Sequence, residues 1–341
     1  MALSKDEKSA SRKEDHINLT DAAQVDKSSL DTRFIYEPML GFHPAEGLPD
    51  TFPFLGKEMR MPIWVSSMTG GVKKAKVINE NLARACAEFG LGMGLGSCRS
   101  LLYGRERIED FDFRDIIGDQ APFFANLGIA QLEQLIAANE LERIDEMLGL
   151  LRVDGLIIHV NPFQEWIQPE GDRLQRPPIH TIMELLESRP NLPLIVKEVG
   201  QGMGRESLKV LLQMPLVAIE LGAAGGTNFS KLELLRTQNA KINPHIDMIT
   251  VGHTATEMVD WINELITELG DLVRCQSIIA SGGIKNYLDG YYLVERCKLP
   301  AVYGQASAFL TYALGDYQQL ADYIRQQIEG YKMATAFLRV K

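Results

Sequence analysis

Residues 122–161, PFFANLGIAQLEQLIAANELERIDEMLGLLRVDGLIIHVN, contain the pattern that decides the fold. Two short apolar runs, 122–128 and 155–161, flank a stretch, 129–150, in which apolar residues recur three and four positions apart. Short apolar runs are typical of buried strands, and the longer periodic stretch is typical of an amphipathic helix. The segment therefore predicts a strand–helix–strand unit with parallel strands.

The same rhythm extends in both directions from about residue 60. Six further strand candidates share an apolar or β-branched core and a polar, Gly/Ser/Asn-rich loop after it. They are PIWVSSM (62–68), GLGMGLG (90–96), PLIVKEV (193–199), PLVAIEL (215–221), SIIASGG (277–283) and PAVYGQA (300–306). Eight strands that alternate with helices predict an α/β fold, a closed (β/α)8 TIM barrel. The alternative is an open doubly wound sheet, but no G-x-G-x-x-G follows the first strand.

Two segments fall outside this rhythm. Residues 1–45 are polar with few apolar anchors, which predicts an N-terminal arm before a barrel domain that spans 46–341. The interval 222–276 is too long for one helix and its turns. We therefore expect a long excursion after strand six, with the loop 226–252 as a cover over the barrel mouth.

Composition limits the classes of partner. Among 341 residues, 35 Lys and Arg stand against 45 Asp and Glu, which gives a net charge of −10. Without a basic block, neither nucleic acid nor an anionic membrane is expected as a partner, whereas a small anionic substrate could meet a local basic pocket. No apolar run approaches about 18 residues, so no membrane span is expected. Four scattered cysteines and a polar N-terminus predict a cytoplasmic protein.

Glycine-rich loops follow the seventh and eighth predicted strands, SGGIK (281–285) and GQAS (304–307). In a TIM barrel, functional groups sit at the carboxyl ends of the strands, and the loops after strands seven and eight often bind phosphate. Glycines let backbone N–H groups approach an oxyanion. The alternative is that these glycines only form tight turns.

Cationic side chains end two other strands. In VKEVG, Lys197 and Glu198 must point to opposite faces of the strand, so only one can line the mouth. A lysine at this position is expected either to meet an anion or to pair with a nearby carboxylate. In GSCR, Arg99 beside Ser97 suits a phosphate, with an exposed surface arginine as the alternative.

The polar arm contains SRKEDH (11–16). In a helix, Arg12 and His16 would share one face, with Lys13 adjacent. Such an arm could fold over the barrel and clamp a diphosphate, and the alternative is a solvated run of charge.

The run HVNPFQEW (159–166) contains the end of the fourth predicted strand and the residues after it. Alternation puts His159 and Asn161 on one side of the strand, which Pro162 ends. Gln164 and Glu165 are then expected in the loop over the mouth. Mg²⁺ often takes one or two carboxylates with water and substrate phosphates, so Glu165 is a candidate metal ligand. The alternative for His159 is a hydrogen-bonded core histidine.

Together these motifs resemble the flavin-dependent, type 2 isopentenyl-diphosphate isomerases. SSMTGG, GSCR, HVNPFQEWIQPEGDR, IVKEVGQGM, GGTNF and ASGGI occur in that family's order, between RKEDH near the start and ASAF near residue 309. The segment NPFQEW…PEGDR is the most specific. The chain departs from the family pattern in IELGAAGGT, where Glu220 and Gly222 put one contact with the flavin in doubt.

The resemblance implies an activity and its cofactors. The reaction would interconvert isopentenyl diphosphate and dimethylallyl diphosphate by a 1,3-allylic proton shift, a step of isoprenoid biosynthesis without net redox change. FMN would lie across the strand ends and, when reduced, act as acid and base. NADPH would only reduce the flavin, and Mg²⁺ would neutralise the diphosphate. A homo-oligomer, either a tetramer or an octamer, is also implied.

The resemblance further implies roles for individual residues. The catalytic site would contain Gln164, which orients the alkene or the flavin, with His159 and Asn161. The substrate diphosphate would meet Arg12, Lys13, His16, Ser97, Arg99 and Gln164. The FMN phosphate would meet Gly282, Gly283, Ala306 and Ser307. The flavin ring would meet Ser67, Met68, Thr69, Ser97, Asn126, Lys197 and Thr227. Glu165 would bind Mg²⁺.

Two other functions are compatible with a flavin barrel. An α-hydroxy-acid oxidase or dehydrogenase needs a histidine base and an arginine in a His-Gly-Gly-Arg type run, which GAAGGTNF lacks. A barrel that binds flavin or phosphate without catalysis would have little need of the polar rim around Glu165.

Overall fold

A closed barrel of eight parallel strands forms the centre of the structure, a computed structural model that describes residues 5–68, 73–236 and 246–341. In chain order the strands are β1 (Phe34–Tyr36), β2 (Phe52–Phe54), β3 (Lys57–Met59), β4 (Ile63–Val65), β5 (Gly92–Gly94), β6 (Phe123–Gly128), β7 (Gly155–Val160), β8 (Leu194–Glu198), β9 (Ala218–Glu220), β10 (Ile278–Ser281), β11 (Ala301–Gln305) and β12 (Leu338–Val340). The barrel order is β10-β11-β4-β5-β6-β7-β8-β9. The predicted TIM barrel is confirmed, and each predicted strand contains one barrel strand.

Helices follow most of the barrel strands. They are α1 (Lys5–Asn18), α2 (Lys73–Phe89), α3 (Arg114–Ile117), α4 (Ile129–Ala137), α5 (Glu142–Leu151), α6 (Pro162–Ile167), α7 (Pro178–Ser188), α8 (Arg205–Leu212), α9 (Phe229–Arg236), α10 (Ala255–Leu269), α11 (Tyr287–Arg296), α12 (Ser307–Ala313) and α13 (Tyr317–Phe337). Short 3-10 turns lie at Lys27–Ser29, Arg99–Leu101, Ile108–Asp110, Ile246–Thr250 and Gly270–Leu272. Within the described ranges, every helix is too short or too polar to cross a membrane.

The single helix predicted over 129–150 is wrong, because the segment forms two helices, α4 and α5. Asn139 takes a positive φ of 55° after α4, and the Glu140 N–H bonds back to the Leu135 carbonyl. This is the left-handed C-terminal turn that Asn tolerates. The loop expected for Gln164 and Glu165 is also wrong, since both lie on α6, where Pro162 takes the first helical position.

Apolar side chains fill the barrel interior below its mouth. Trp64, Phe124, Ile157 and Ile195 form one buried cluster, joined from below by two residues of the β2–β3 hairpin. Fully burying such a side chain contributes about 1.5–3 kcal/mol. Because inward positions recur every second residue, the next inward residues along β7 and β8 are polar ones at the mouth.

A larger cluster lies between the outer face of the barrel and the helices. Ile158 and Val196 belong to it, one residue away from the inward-facing Ile157 and Ile195. The two faces therefore alternate as a parallel barrel requires. Glu198 lies on the same outer face as Val196, whereas Lys197 faces inward, in agreement with the alternation expected for VKEVG.

Candidate functional site

A row of three ionisable residues crosses the barrel mouth. In the strand register His159 of β7 is opposite Lys197 of β8, and Lys197 is opposite Glu220 of β9. Each lies two positions beyond an apolar residue of the interior cluster, Ile157, Ile195 or Ala218 in turn. The alternation of the strands thus turns all three side chains into the barrel.

Lys197 occupies the middle of this row. Its ammonium lies 3.2 Å from Glu220 Oε1 and donates to the Glu198 carbonyl at 2.9 Å. The side chain is 10% exposed, so the charge also reaches the mouth. The structure therefore shows the pairing with a nearby carboxylate, and Lys197 also lines a cavity.

His159 is held by Asn126. Its Nδ1 lies 2.7 Å from Asn126 Oδ1, while Asn126 Nδ2 donates to Ser67 Oγ at 2.9 Å. With the amide assigned in this direction, the imidazole carries its proton on Nδ1. Burial, and then the Lys197 charge, lower the pKa of His159 to about 4. The imidazole is therefore neutral near pH 7.

A cavity of about 390 Å³ opens at the carboxyl ends of β4, β8, β9, β10 and β11. Most of the predicted cofactor residues line it: Ser67, Met68, Lys197, Thr227, Gly282, Gly283, Ala306 and Ser307. Asn126 is next to the cavity through its bond to Ser67. Ser97 is exposed and does not line this cavity, and Thr69 lies outside the described residues.

The cavity wall after β10 depends on glycine. Gly282 and Gly283 have φ angles of +95° and +73°, which favour glycine. A Cβ at Gly282 would lie 2.1 Å from the Ala223 carbonyl oxygen. The same wall includes Ser66, whose hydroxyl is buried and has no hydrogen-bond partner in the part of the chain that the structure describes.

A second polar cluster lies on α6. Asn161 Nδ2 donates to Gln164 Oε1 and to Glu165 Oε1, each at 3.1 Å. The other Glu165 oxygen accepts the Asp172 N–H at 2.8 Å. Asn161 Oδ1 is buried without a hydrogen-bond partner among the described residues. Across residues 5–68, 73–236 and 246–341, no three His, Cys, Asp or Glu side chains group as metal ligands, so Glu165 offers a single carboxylate.

The excursion after β9 brings one further residue to this cluster, Glu233, which sequence reasoning missed. Gln164 Nε2 donates to Glu233 Oε1 at 3.4 Å, and Arg236 contacts the same carboxylate. Arg236 also pairs with Glu170 at 2.8 Å. The described part of the excursion therefore borders the mouth, while residues 237–245 of the predicted cover lie outside the described residues. The stretch NFSKLELLR has the spacing of a helix, and a helix in the excursion could bring the Glu233 carboxylate to the barrel mouth.

The predicted diphosphate residues are separate from the cavity. The Arg99 side chain is 55% exposed and pairs with Asp172 at 3.2 Å. Arg12, Lys13 and His16 lie on α1, are exposed and do not line the cavity. The structure thus gathers most of the predicted cofactor residues, together with the residues of α6, at one end of the barrel, and leaves Arg12, Lys13 and His16 exposed.

Curated proteins supply relatives of the whole chain. The isopentenyl-diphosphate delta-isomerase of Rickettsia felis is 33% identical over 333 residues, 94% of this chain and 90% of that protein. The protein of the same name from Rickettsia typhi is 33% identical over 286 residues, 82% of this chain and 79% of its own. A scan against models of protein families found no match.

Solved structures show a similar fold. The flavin-binding domain of baker's yeast flavocytochrome b2 has a TM-score of 0.58 at 13% identity and covers 89% of this chain and 72% of that one. A putative lactate oxidase from Pediococcus acidilactici has a TM-score of 0.55 at 14% identity, with 91% and 83% covered. At such identities the likeness extends to the fold alone, so it does not distinguish one barrel activity from another.

Proposed function

The chain belongs to the isopentenyl-diphosphate delta-isomerase family, and we propose that it interconverts isopentenyl diphosphate and dimethylallyl diphosphate as an FMN-dependent isomerase. The predicted family is confirmed by the relatives, which are enzymes of this name. The observation that carries the FMN part of the proposal is the mouth cavity, in which the Lys197 ammonium and the Gly282–Gly283 loop line one space.

The cavity suits a planar anionic cofactor. Its volume of about 390 Å³ falls within the usual range for small-molecule sites, about 300–1,000 Å³. The unpartnered Ser66 hydroxyl and the Lys197 cation provide polar contacts, and a cation stabilises the negative charge of a reduced flavin ring. The phosphate would lie against Gly282, Gly283, Ala306 and Ser307. The ring would lie against Ser67, Met68, Thr69, Asn126, Lys197 and Thr227, whereas Ser97, which is exposed outside the cavity, would meet only the diphosphate.

When bound and reduced, FMN would supply the acid and base for moving the proton, and NADPH would serve only to reduce it. An unactivated alkene accepts a proton only from a strong acid in a dry site. His159 is neutral, with its Nδ1 proton held by Asn126, so it would orient the substrate together with Asn161 rather than protonate it. Gln164, fixed by Asn161, would orient the alkene or the ring.

The diphosphate would be held by charge from several sides. Arg12, Lys13, His16, Ser97 and Arg99 would contact it, and residues 1–45 would close over the substrate and exclude water. Because the Arg99 side chain is 55% exposed and Asp172 also accepts hydrogen bonds from Gln131 and Gln134, exchanging the carboxylate for a phosphate would cost little. Glu165, beside the unpartnered Asn161 oxygen, fits a Mg²⁺ ion that takes its other oxygens from diphosphate and water.

We also propose a cytoplasmic homo-oligomer, a tetramer or an octamer. The four cysteines are free, as suits a reducing compartment. The assembly rests on the family resemblance.

The proposal is tested by anaerobic incubation of the protein with FMN, NADPH, Mg²⁺ and isopentenyl diphosphate in D₂O. Mass spectrometry should find deuterated dimethylallyl diphosphate only when reductant is present, with NADPH consumption far below turnover. A second set of samples omits Mg²⁺. A protein that binds FMN yet forms no product would contradict the activity while leaving the cofactor site, and lactate oxidation would then be assayed.

A further inference from the structure

Glu220 is a carboxylate with an unusual environment at the end of β9. Its exposed fraction is 0%, and neither carboxylate oxygen has a hydrogen-bond partner among the described residues. The ion pair with Lys197, at 3.2 Å from Oε1, is the contact that compensates its charge. A buried carboxylate left without its cation is strongly destabilising. Glu220 therefore depends on Lys197.

Lys197 depends less on Glu220. Its ammonium also donates to the Glu198 carbonyl, and its side chain lines the mouth cavity with 10% of its surface exposed. Water or a ligand in the cavity can solvate this cation on one side. The two members of the pair thus have unequal environments, and only one of them touches the cavity.

We propose that Glu220 is a positioning residue that holds the Lys197 ammonium at the cavity floor and weakens the positive potential that Lys197 presents to a bound flavin. The second half of this inference rests on the proposed function, since it concerns the cofactor. The first half concerns the protein alone. The Coulomb energy of a charge falls with distance, so a negative charge next to the ammonium offsets part of its effect on a flavin in the cavity.

The pairing is tested by a double-mutant cycle on the flavin-free protein, using urea unfolding. Lys197→Met should lower the folding equilibrium constant about a hundred- to a thousandfold, because it leaves Glu220 buried and unpaired. Glu220→Gln should lower it less, and the double variant should recover most of the loss caused by Lys197→Met. Additive losses would overturn the pairing. Glu220→Asp, which keeps the charge, provides a variant for the case in which Glu220→Gln does not fold.

The charge effect is tested by the midpoint potential of bound FMN. Glu220→Gln should favour binding of reduced over oxidised FMN by about tenfold, which for two electrons is a positive shift of about 30 mV. Glu264→Gln, which removes the same charge at a site 65% exposed, should leave the potential unchanged. An unchanged potential in Glu220→Gln would overturn the charge effect. If the wild-type protein binds no FMN, the proposed function and the charge effect both fail, and the folding cycle still decides the pairing.

Discussion

His159 is a titratable side chain at the barrel mouth, and its neighbours decide its protonation state. Lys197 faces it across the strand pair, and Asn126 holds its Nδ1. A second positive charge beside Lys197 would be unfavourable, so the imidazole stays neutral. The pKa of about 4 lies below the ordinary value of 6.5, and this difference has a consequence for acid stability.

We expect His159 to destabilise the flavin-free protein as the pH falls. The unfolded chain binds the proton below about pH 6.5 and the folded chain only below about pH 4. The favourable contribution of neutral His159 is therefore complete above pH 6.5 and declines between pH 6.5 and 4, by at most about 3 kcal/mol. Urea unfolding of wild type and His159→Gln at pH 7.5 and 5 measures this contribution of His159 to the unfolding free energy. Equal pH dependence of the two proteins would contradict the prediction, and NMR titration of the histidine Cε1–H signals gives the pKa directly.

Gln164 is expected to act on rate rather than on cofactor binding. Gln164→Ala should lower kcat about a hundredfold, since a reacting group misplaced by about 1 Å can cost that much, while the protein stays yellow with FMN. Gln168→Ala is the matched control, because this glutamine near the end of α6 bonds to the exposed Glu170. Loss of FMN from Gln164→Ala, seen in the visible spectrum, would exclude the orienting role.

At the scale of residues, the family resemblance predicted cofactor residues of which most line the cavity, and strand alternation predicted relative side-chain directions. Alternation put Lys197 and Glu198 on opposite faces and His159 and Asn161 on one side, but the structure was needed to show that Lys197 and His159 face inward. The contact between Glu233 and Gln164 was not predicted, because it depends on how the excursion after β9 folds back over α6. Predicting the Lys197–Glu220 ion pair also requires the register between β8 and β9, which a single sequence does not give.

At the scale of elements, the hydrogen bonds of Gln305 connect the end of β11 to the C-terminal helix α13, and we call this connection the Gln305 tie. Gln305 is 3% exposed, accepts the Tyr323 hydroxyl at 2.9 Å and donates to the Ile284 carbonyl at 3.3 Å. Ile284 belongs to the loop after β10, so one amide connects both proposed phosphate loops to α13. Sequence analysis predicted the loops, but the tie depends on a helix that begins 12 residues after Gln305.

Removing this tie should weaken flavin binding. Tyr323→Phe deletes one hydrogen bond, worth about 1 kcal/mol, and leaves the Gln305 amide less restrained. We expect the unfolding free energy of the flavin-free protein to fall by about 1 kcal/mol and the Kd for FMN to rise about fivefold. Fluorescence titration measures it. Tyr312→Phe, at a ring stacked 4.5 Å from Tyr323, should leave the Kd unchanged, and an equal rise in both variants would refute the tie.

Element boundaries were harder to predict than element types. The break between α4 and α5 has neither glycine nor proline, and only Asn139 in the left-handed region marks it. Gln164 and Glu165 were expected in a loop because Pro162 ends a strand, yet proline also begins helices. In both places the local sequence allowed two conformations, and packing against the barrel decides between them.

For the whole molecule, the eightfold strand rhythm was sufficient to predict the barrel, but it did not predict the separate two-stranded sheet formed by β1 and β12. β1 pairs antiparallel with β12, with Phe34 opposite Val340. These strands are three residues each, too short and too far apart in sequence for a pattern to link them. The Phe34 ring packs at about 6 Å from the ring of Tyr291, so the pairing covers one side of α11.

Deleting residues 338–341 should abolish the pairing of β1 with β12 without unfolding the barrel. The deletion removes the partner of β1 and the bond from the Lys341 N–H to the Arg33 carbonyl. We expect Tm to fall by about 5 °C and trypsin to cleave faster after Arg33, whose ion pair with Asp289 would then hold an otherwise unpaired segment. Arg339→Ala keeps the backbone pairing and should change Tm by about 1 °C or less. Unaltered cleavage after Arg33 in the deletion variant would mean that the Phe34 packing and the Asp289 pair hold the segment without β12.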